Sequence, residues 1–228
     1  MAELWTLVLV AHGSSKDPGV ADQVRDAARG LACDPDVAAR FAAVEVAFLK
    51  QSPNVGEVAR GRDVVILPLF MAEGYFVNEV LPREIAAGPP RLAITLPPLG
   101  ADPRLLDVVE TTDRAVVIVG HGTPRDSHSR ASVEAAVQRL RSERRLDAYA
   151  AFLDDEPGLA DVARDLCSRS PVTVIPWFAT AGPHVDHDIV EPMHALGGDI
   201  VVEAPAGTTR TALRVMAAMA LEASLESV

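Results

Sequence analysis

Two histidines stand at points where a chain can do chemistry. His121 lies in Ala115–Thr123, Ala-Val-Val-Ile-Val-Gly-His-Gly-Thr, a short aliphatic run that breaks off at a histidine held between glycines. His184 lies in Gly182-Pro183-His184-Val185, after a second aliphatic run at Val172–Phe178. Neutral imidazoles facing one opening can coordinate a divalent metal or accept protons near neutral pH, because an unperturbed histidine titrates near about 6.5. His187, three residues on, is expected on the same face of the following helix, where it extends the site. Asp154, just past another strand-like run, supplies a carboxylate able to deliver a cation or orient a histidine. The pattern points to His121 and His184 as groups that coordinate a metal or accept protons, with His187 and Asp154 as further candidate metal ligands.

These residues must be positioned by the elements between them. Runs such as Leu7–Ala11, Val64–Phe70 and Ala115–Gly120 are apolar throughout, as expected of strands buried on both faces, and helical segments separate them. That alternation predicts parallel strands joined by crossover helices, with ligands at the carboxyl ends of the strands. Helices are expected at Asp17–Ala32, from about Pro53 to Arg60, near Val77–Ala86, at Asp102–Glu110, Arg125–Arg141, Pro157–Ser168, Val185–Ala195 and Thr208–Ser224.

The order of elements occurs twice. His12-Gly13-Ser14 answers His121-Gly122-Thr123, Ala47-Phe48-Leu49 answers Ala151-Phe152-Leu153, and Pro68-Leu69-Phe70 answers Pro176-Trp177-Phe178. Two copies make a duplication and not a solenoid. The expected halves are residues 1–112 and 113–228, divided at the polar stretch near Thr111–Arg114. Aligning them sets Phe76 opposite His184 and Lys50 opposite Asp154, so the second half keeps the cation-handling groups. His12 and Phe76 are left as a wall or a substrate contact.

Composition narrows the function. The formal charge is −11, aromatics make up 4% of the chain, and no Lys/Arg-rich block is present. No nucleic-acid partner is expected from such a surface, and no membrane partner either. Cys33 and Cys167 fit no paired metal or redox motif. No signal-like start or membrane-length apolar run is found, which gives a cytoplasmic expectation.

Taken in order, Leu-Val-Ala-His-Gly-Ser, Val-Glu-Val-Ala-Phe-Leu, Leu-Pro-Leu-Phe-Met-Ala-Glu-Gly, Val-Gly-His-Gly-Thr and Gly-Pro-His-Val-Asp-His-Asp-Ile resemble the sirohydrochlorin chelatase family in its two-copy form. The likeness spans nearly the whole chain. It implies two similar parallel-sheet, flavodoxin-like α/β halves with a cleft between them. The implied activity is insertion of Fe²⁺, Co²⁺ or Ni²⁺ into sirohydrochlorin or a related reduced tetrapyrrole, as in siroheme and cobalamin synthesis. Carried over, the two working histidines are His121 and His184. In two-copy bacterial members the working pair is often in the amino-terminal half, whereas here Phe76 stands in that half.

Such a reaction implies no cofactor beyond the metal substrate. Sirohydrochlorin carries several carboxylates, so backbone N–H groups after Gly13-Ser14 and Gly122-Thr123, with Lys16 and Arg125, are expected as anion anchors. The substrate contacts expected are His12, Ser14, Thr123, Phe76 and Arg125. A duplicated chain needs no second copy to form its site, so a monomer is expected. The competing reading is a protein of this fold that binds tetrapyrrole or metal without inserting it. A histidine-phosphatase-like enzyme ranks lower, because Ala11 and Gly120 stand where those enzymes carry arginine.

Overall fold

The computed structural model describes residues 5–14, 18–110, 113–122, 127–182 and 185–225, apart from the side chains of 18, 224 and 225. It contains two four-stranded sheets, both wholly parallel. The first holds β1 (Trp5–Ala11), β2 (Phe41–Phe48), β3 (Asp63–Pro68) and β4 (Leu92–Thr95) in the order β2-β1-β3-β4. The second repeats this with β5 (Ala115–Gly120), β6 (Ala148–Phe152), β7 (Val172–Pro176) and β8 (Ile200–Val202) in the order β6-β5-β7-β8. The central strands are aliphatic because helices cover both faces; all six residues of β5 are buried.

The helices are α1 (Pro18–Ala32), α2 (Pro35–Arg40), α3 (Val55–Ala59), α4 (Leu81–Ala87), α5 (Ser127–Arg144), α6 (Leu159–Cys167), α7 (Glu191–Leu196) and α8 (Arg210–Leu225). On one face of the first sheet Val8, Val10, Val64 and Ile66 pack against Val55, Val58 and Leu81 of α3 and α4. On the matching face of the second, Val117, Val119 and Val174 pack against Leu159, Ala163, Ile189 and Met193.

Several helices depart from the expected form. Pro53 does not open α3: it follows a cis peptide bond, and Asn54 caps the helix. The Asn54 side chain accepts the Glu57 N–H at 2.8 Å while Glu57 accepts the Asn54 N–H at 2.7 Å, so two otherwise orphaned donors are satisfied reciprocally. Glu156-Pro157 is likewise cis, and α6 begins only at Leu159. Helix α2 was not foreseen. Its Pro-Asp opening follows Asp34, whose carboxylate accepts the Asp36 and Val37 N–H groups.

The helix expected near Val77 opens as a π-turn, Phe76–Val80, and its counterpart opens as another, Asp186–Val190. In each, the next N–H bonds five residues back, Leu81 to Phe76 and Glu191 to Asp186. Each π-turn is followed at once by a helix with proline in its first turn, Pro82 or Pro192. The wider winding gives room ahead of a ring that would crowd the preceding carbonyls.

The compact units are residues 1–102 with 210–228, and residues 103–209. They differ from the sequence halves by an exchange of end segments. The expected helix Asp102–Glu110 is a 3₁₀ segment, Pro103–Val108, that packs on α5, where Arg144 donates to the Leu106 carbonyl at 2.7 Å. Helix α8 packs instead on α1, α2 and β3 of the first unit. Gly30 permits the α1–α8 approach, since a Cβ there would lie 2.9 Å from Leu213.

Candidate metal-handling site

In each unit the loops after the first and third strands leave from neighbouring strands, because β1 pairs with β3 and β5 with β7. This is the switch point of a flavodoxin-like strand order, where such sheets bind ligands. In the second unit the Trp177 N–H donates to the Val119 carbonyl at 2.7 Å, which carries the pairing one residue past the end of β7. The first unit has the same bond, Leu69 N–H to Val10 at 2.7 Å.

His121 follows β5 directly and is exposed. Its ring leans on Phe178, with centroids 4.6 Å apart and a tilt of 44°. Phe178 is 9% exposed and belongs to the core of the unit, so this wall is rigid. Gly122 then turns the chain at φ +62°, and a Cβ there would meet the Phe152 side chain at 2.7 Å. Asp154 is tied to the same spot: its N–H donates to the His121 carbonyl at 2.8 Å, and its side chain is exposed. The next two acidic residues have other duties. Asp155 accepts from Arg130 Nε at 3.1 Å and from the Glu156 N–H at 2.8 Å, and these bonds hold its carboxyl below the usual carboxylate range. Arg130 also lies 4.3 Å over the Phe152 ring. Glu156 accepts the Gly158 N–H at 3.0 Å, ahead of α6.

His187 sits on the π-turn, exposed, with Nδ1 3.2 Å from the Glu191 carboxylate. Among the described residues no three His, Cys, Asp or Glu side chains gather into a metal-holding group. His184, Thr123, Arg125 and Lys16 lie outside the described residues.

The first unit builds the same frame with different groups. The Lys50 N–H donates to the His12 carbonyl at 3.0 Å, the bond that Asp154 makes to His121. His12 Nδ1 donates to the Gly13 carbonyl at 2.8 Å, and its ring meets Phe76 edge to face at 4.5 Å. Val77 and Val185 each donate to the glycine three residues back, Gly74 and Gly182. Ser14, expected as a substrate contact, is half-buried at this strand end. Its N–H donates to Gln51 Oε1 at 2.8 Å.

Trp177 is a packing residue: it is 3% exposed, and its indole N–H donates to Ser132 Oγ at 3.0 Å. Three participants escaped the sequence reading. Phe178 was visible as the repeat of Phe70, but nothing marked it as the wall behind His121. Gln51 and Arg130 gave no signal, because each acts on a residue far away in sequence.

Fold and site together define a duplicated α/β protein with a histidine after the central strand of each half. A model of the CbiX family matches the chain twice, over residues 6–112 and 115–223, and the chain belongs to that family. It is 26% identical over 231 residues to a probable sirohydrochlorin cobaltochelatase of Halobacterium salinarum, covering 81% of this chain and 75% of the relative. Among solved structures it is similar to CbiX, the terminal enzyme for siroheme biosynthesis in denitrifying bacteria, with 26% identity and a TM-score of 0.74 over 98% of this chain and 99% of that one. SirB from Bacillus subtilis, solved with Fe³⁺, shares the fold at 16% identity, with a TM-score of 0.77 over 99% and 97% of the two chains. A multi-domain protein from Deinococcus radiodurans with structural similarity to chelatases matches at 22% identity and a TM-score of 0.72. The match takes in 95% of this chain and only 55% of that one. No helix among the described residues is long and apolar enough to cross a membrane.

Proposed function

We infer that this chain inserts a divalent first-row metal ion, of the Fe²⁺, Co²⁺ or Ni²⁺ group, into sirohydrochlorin or a closely related reduced tetrapyrrole. The second unit does the chemistry. The reading is carried by His121, exposed at a parallel-sheet switch point with Asp154 bonded beside it, in a chain that matches the CbiX family along both halves. The names of the Halobacterium and denitrifier relatives support sirohydrochlorin as the ring.

The reaction exchanges two pyrrole protons for one metal ion. His121 and His184 act as transient ligands that take the place of water around the incoming cation, and as acceptors for the protons the ring gives up. Asp154 draws the hydrated cation to the strand end. Oxidation state is unchanged and no phosphate bond breaks, so the proposed step needs neither a redox nor a nucleotide cofactor. A protonated imidazole cannot bind a metal, so insertion requires the pair in its neutral form. One chain supplies the whole proposed site as a monomer. Free Cys33 and Cys167 suit a reducing cytoplasm.

The test is anaerobic incubation of the purified protein with sirohydrochlorin and each metal separately, following ring absorbance against a protein-free control. Faster metallation with at least one metal is expected; rates equal to the control with all three overturn the proposal.

A further inference from the structure

The acidic run Asp154-Asp155-Glu156 follows β6 and is bonded to the His121 backbone, yet its three carboxylates are not equally free to meet a cation. Arg130 of α5 reaches across to it. Its Nε and Nη2 stand 3.1 and 2.5 Å from Asp155 Oδ2, and Nη2 also donates to the Glu156 carbonyl at 2.5 Å. The third nitrogen, Nη1, donates to Glu134 at 3.1 Å, one turn on along the same helix. The other Asp155 oxygen accepts the Glu156 N–H, and the Glu156 carboxylate accepts the Gly158 N–H. Two of the three carboxylates are thus committed within the protein. The Asp154 carboxylate is exposed and makes no ion pair among the described residues.

The guanidinium is itself held. It lies over the ring of buried Phe152, against which the Gly122 turn closes just after His121. A planar fork with that cover keeps one orientation. The first unit is built otherwise: Arg25 lies 5.8 Å over Phe48 but pairs with Asp22 of its own helix, and the matching segment Lys50-Gln51-Ser52 has no carboxylate to hold.

We propose that Arg130 is a positioning residue that withholds Asp155 from the incoming cation, so that Asp154 alone of the acidic run meets it and the ion is held loosely enough to be passed on. The proposal rests on the chelatase reading above for where the cation arrives. Affinity for a divalent cation climbs with the number of carboxylates that reach it. A delivery site that gathers a second one keeps the ion instead of releasing it. Asp155 is the next residue along the chain from Asp154, so the guanidinium fork, and not separation in sequence, is what keeps the second carboxylate away.

The probe is Co²⁺, titrated by its visible absorption into the ring-free full chain in about 0.5 M salt, where long-range charge effects are largely screened. Arg130→Met, which keeps cover over Phe152, is expected to bind Co²⁺ about fivefold or more tightly than wild type. Adding Asp155→Asn is expected to return the affinity to the wild-type value. A merely structural role for Arg130 would weaken binding in both. Asp155→Asn alone, a near-isosteric change, is expected to bind as wild type does, and it keeps the test open should Arg130→Met not fold. The proposal is overturned by affinity in folded Arg130→Met equal to or weaker than wild type, by a gain that survives Asp155→Asn, or by a loss in Asp155→Asn alone. Insertion by the wild type is measured separately: its failure removes the chelatase reading and leaves the Co²⁺ comparison standing.

Discussion

The two strand ends share a backbone and differ in chemistry. Each has a histidine after the central strand, a positive-φ glycine, a bond from the residue after the second strand to the histidine carbonyl, and a π-turn before a proline-started helix. In the second unit that bond carries Asp154 and the ring behind the histidine is the buried Phe178. In the first it carries Lys50 and the histidine meets half-buried Phe76. The geometry of such a site belongs to the scaffold, whereas its reactivity is set by two or three substitutions.

The comparison is broken most severely by removing the imidazoles of the half proposed to do the chemistry. The double variant His121→Ala with His184→Ala is expected to lose at least about 100-fold in insertion rate, approaching the protein-free reaction. Rates are read by absorbance, with Co²⁺ and sirohydrochlorin. Asp154→Asn is expected to cost about tenfold, through weaker cation capture. Lys50→Ala, its counterpart, is expected to leave the maximal rate at saturating ring nearly as it was, and an equal loss in both would erase the distinction between the halves.

Matched glycines sharpen it further. Gly207 and Gly100 each brace the segment after the third strand: a Cβ would come within 2.5 Å of the Ala179 carbonyl oxygen and 2.3 Å of that of Met71. Gly207→Ala and Gly100→Ala should each cost about 1–3 kcal/mol of stability, seen in thermal unfolding. Only Gly207→Ala should also slow insertion, by shifting the segment that follows β7.

The smallest effect concerns how each unit ties down its fourth strand. Arg114 reaches Thr173 Oγ1 at 3.0 Å, the Val172 carbonyl at 2.8 Å and the Asp199 carboxylate at 2.8 Å. In the first unit Arg91 Nε donates to Asp63 at 2.7 Å. Hydrogen bonding to arginine holds both carboxyls below their ordinary range. Their stabilisation is therefore present above the unfolded-state value of about 3.9 and fades as pH falls through the lower folded value. Asp199→Asn should reduce the melting temperature slightly at pH 7 and flatten its fall on acidification, the Asp199 side chain being 65% exposed.

Much of this could be read in advance. Buried parallel strands announce themselves as unbroken aliphatic runs, and the paired landmarks revealed the duplication, the frame of the site and the Lys50–Asp154 exchange. The segment exchange could not be read, because the apolar face of α8 says that it needs cover and not which sheet provides it. Nor could the π-turns, whose cause is a proline acting on the winding before it. Gln51 closing the Ser14 N–H and Arg130 holding Asp155 are long-range pairings between residues of common types, invisible to spacing.

The central claim is that the second unit does the chemistry, and the most direct test sets the two equivalent histidines side by side. Initial rates of metal insertion into sirohydrochlorin are measured for His12→Ala and His121→Ala under the same conditions. The account expects His121→Ala to lose about 100-fold or more in rate and His12→Ala to stay within a few-fold of wild type at saturating ring. A large loss in His12→Ala with His121→Ala near the wild-type rate would contradict it.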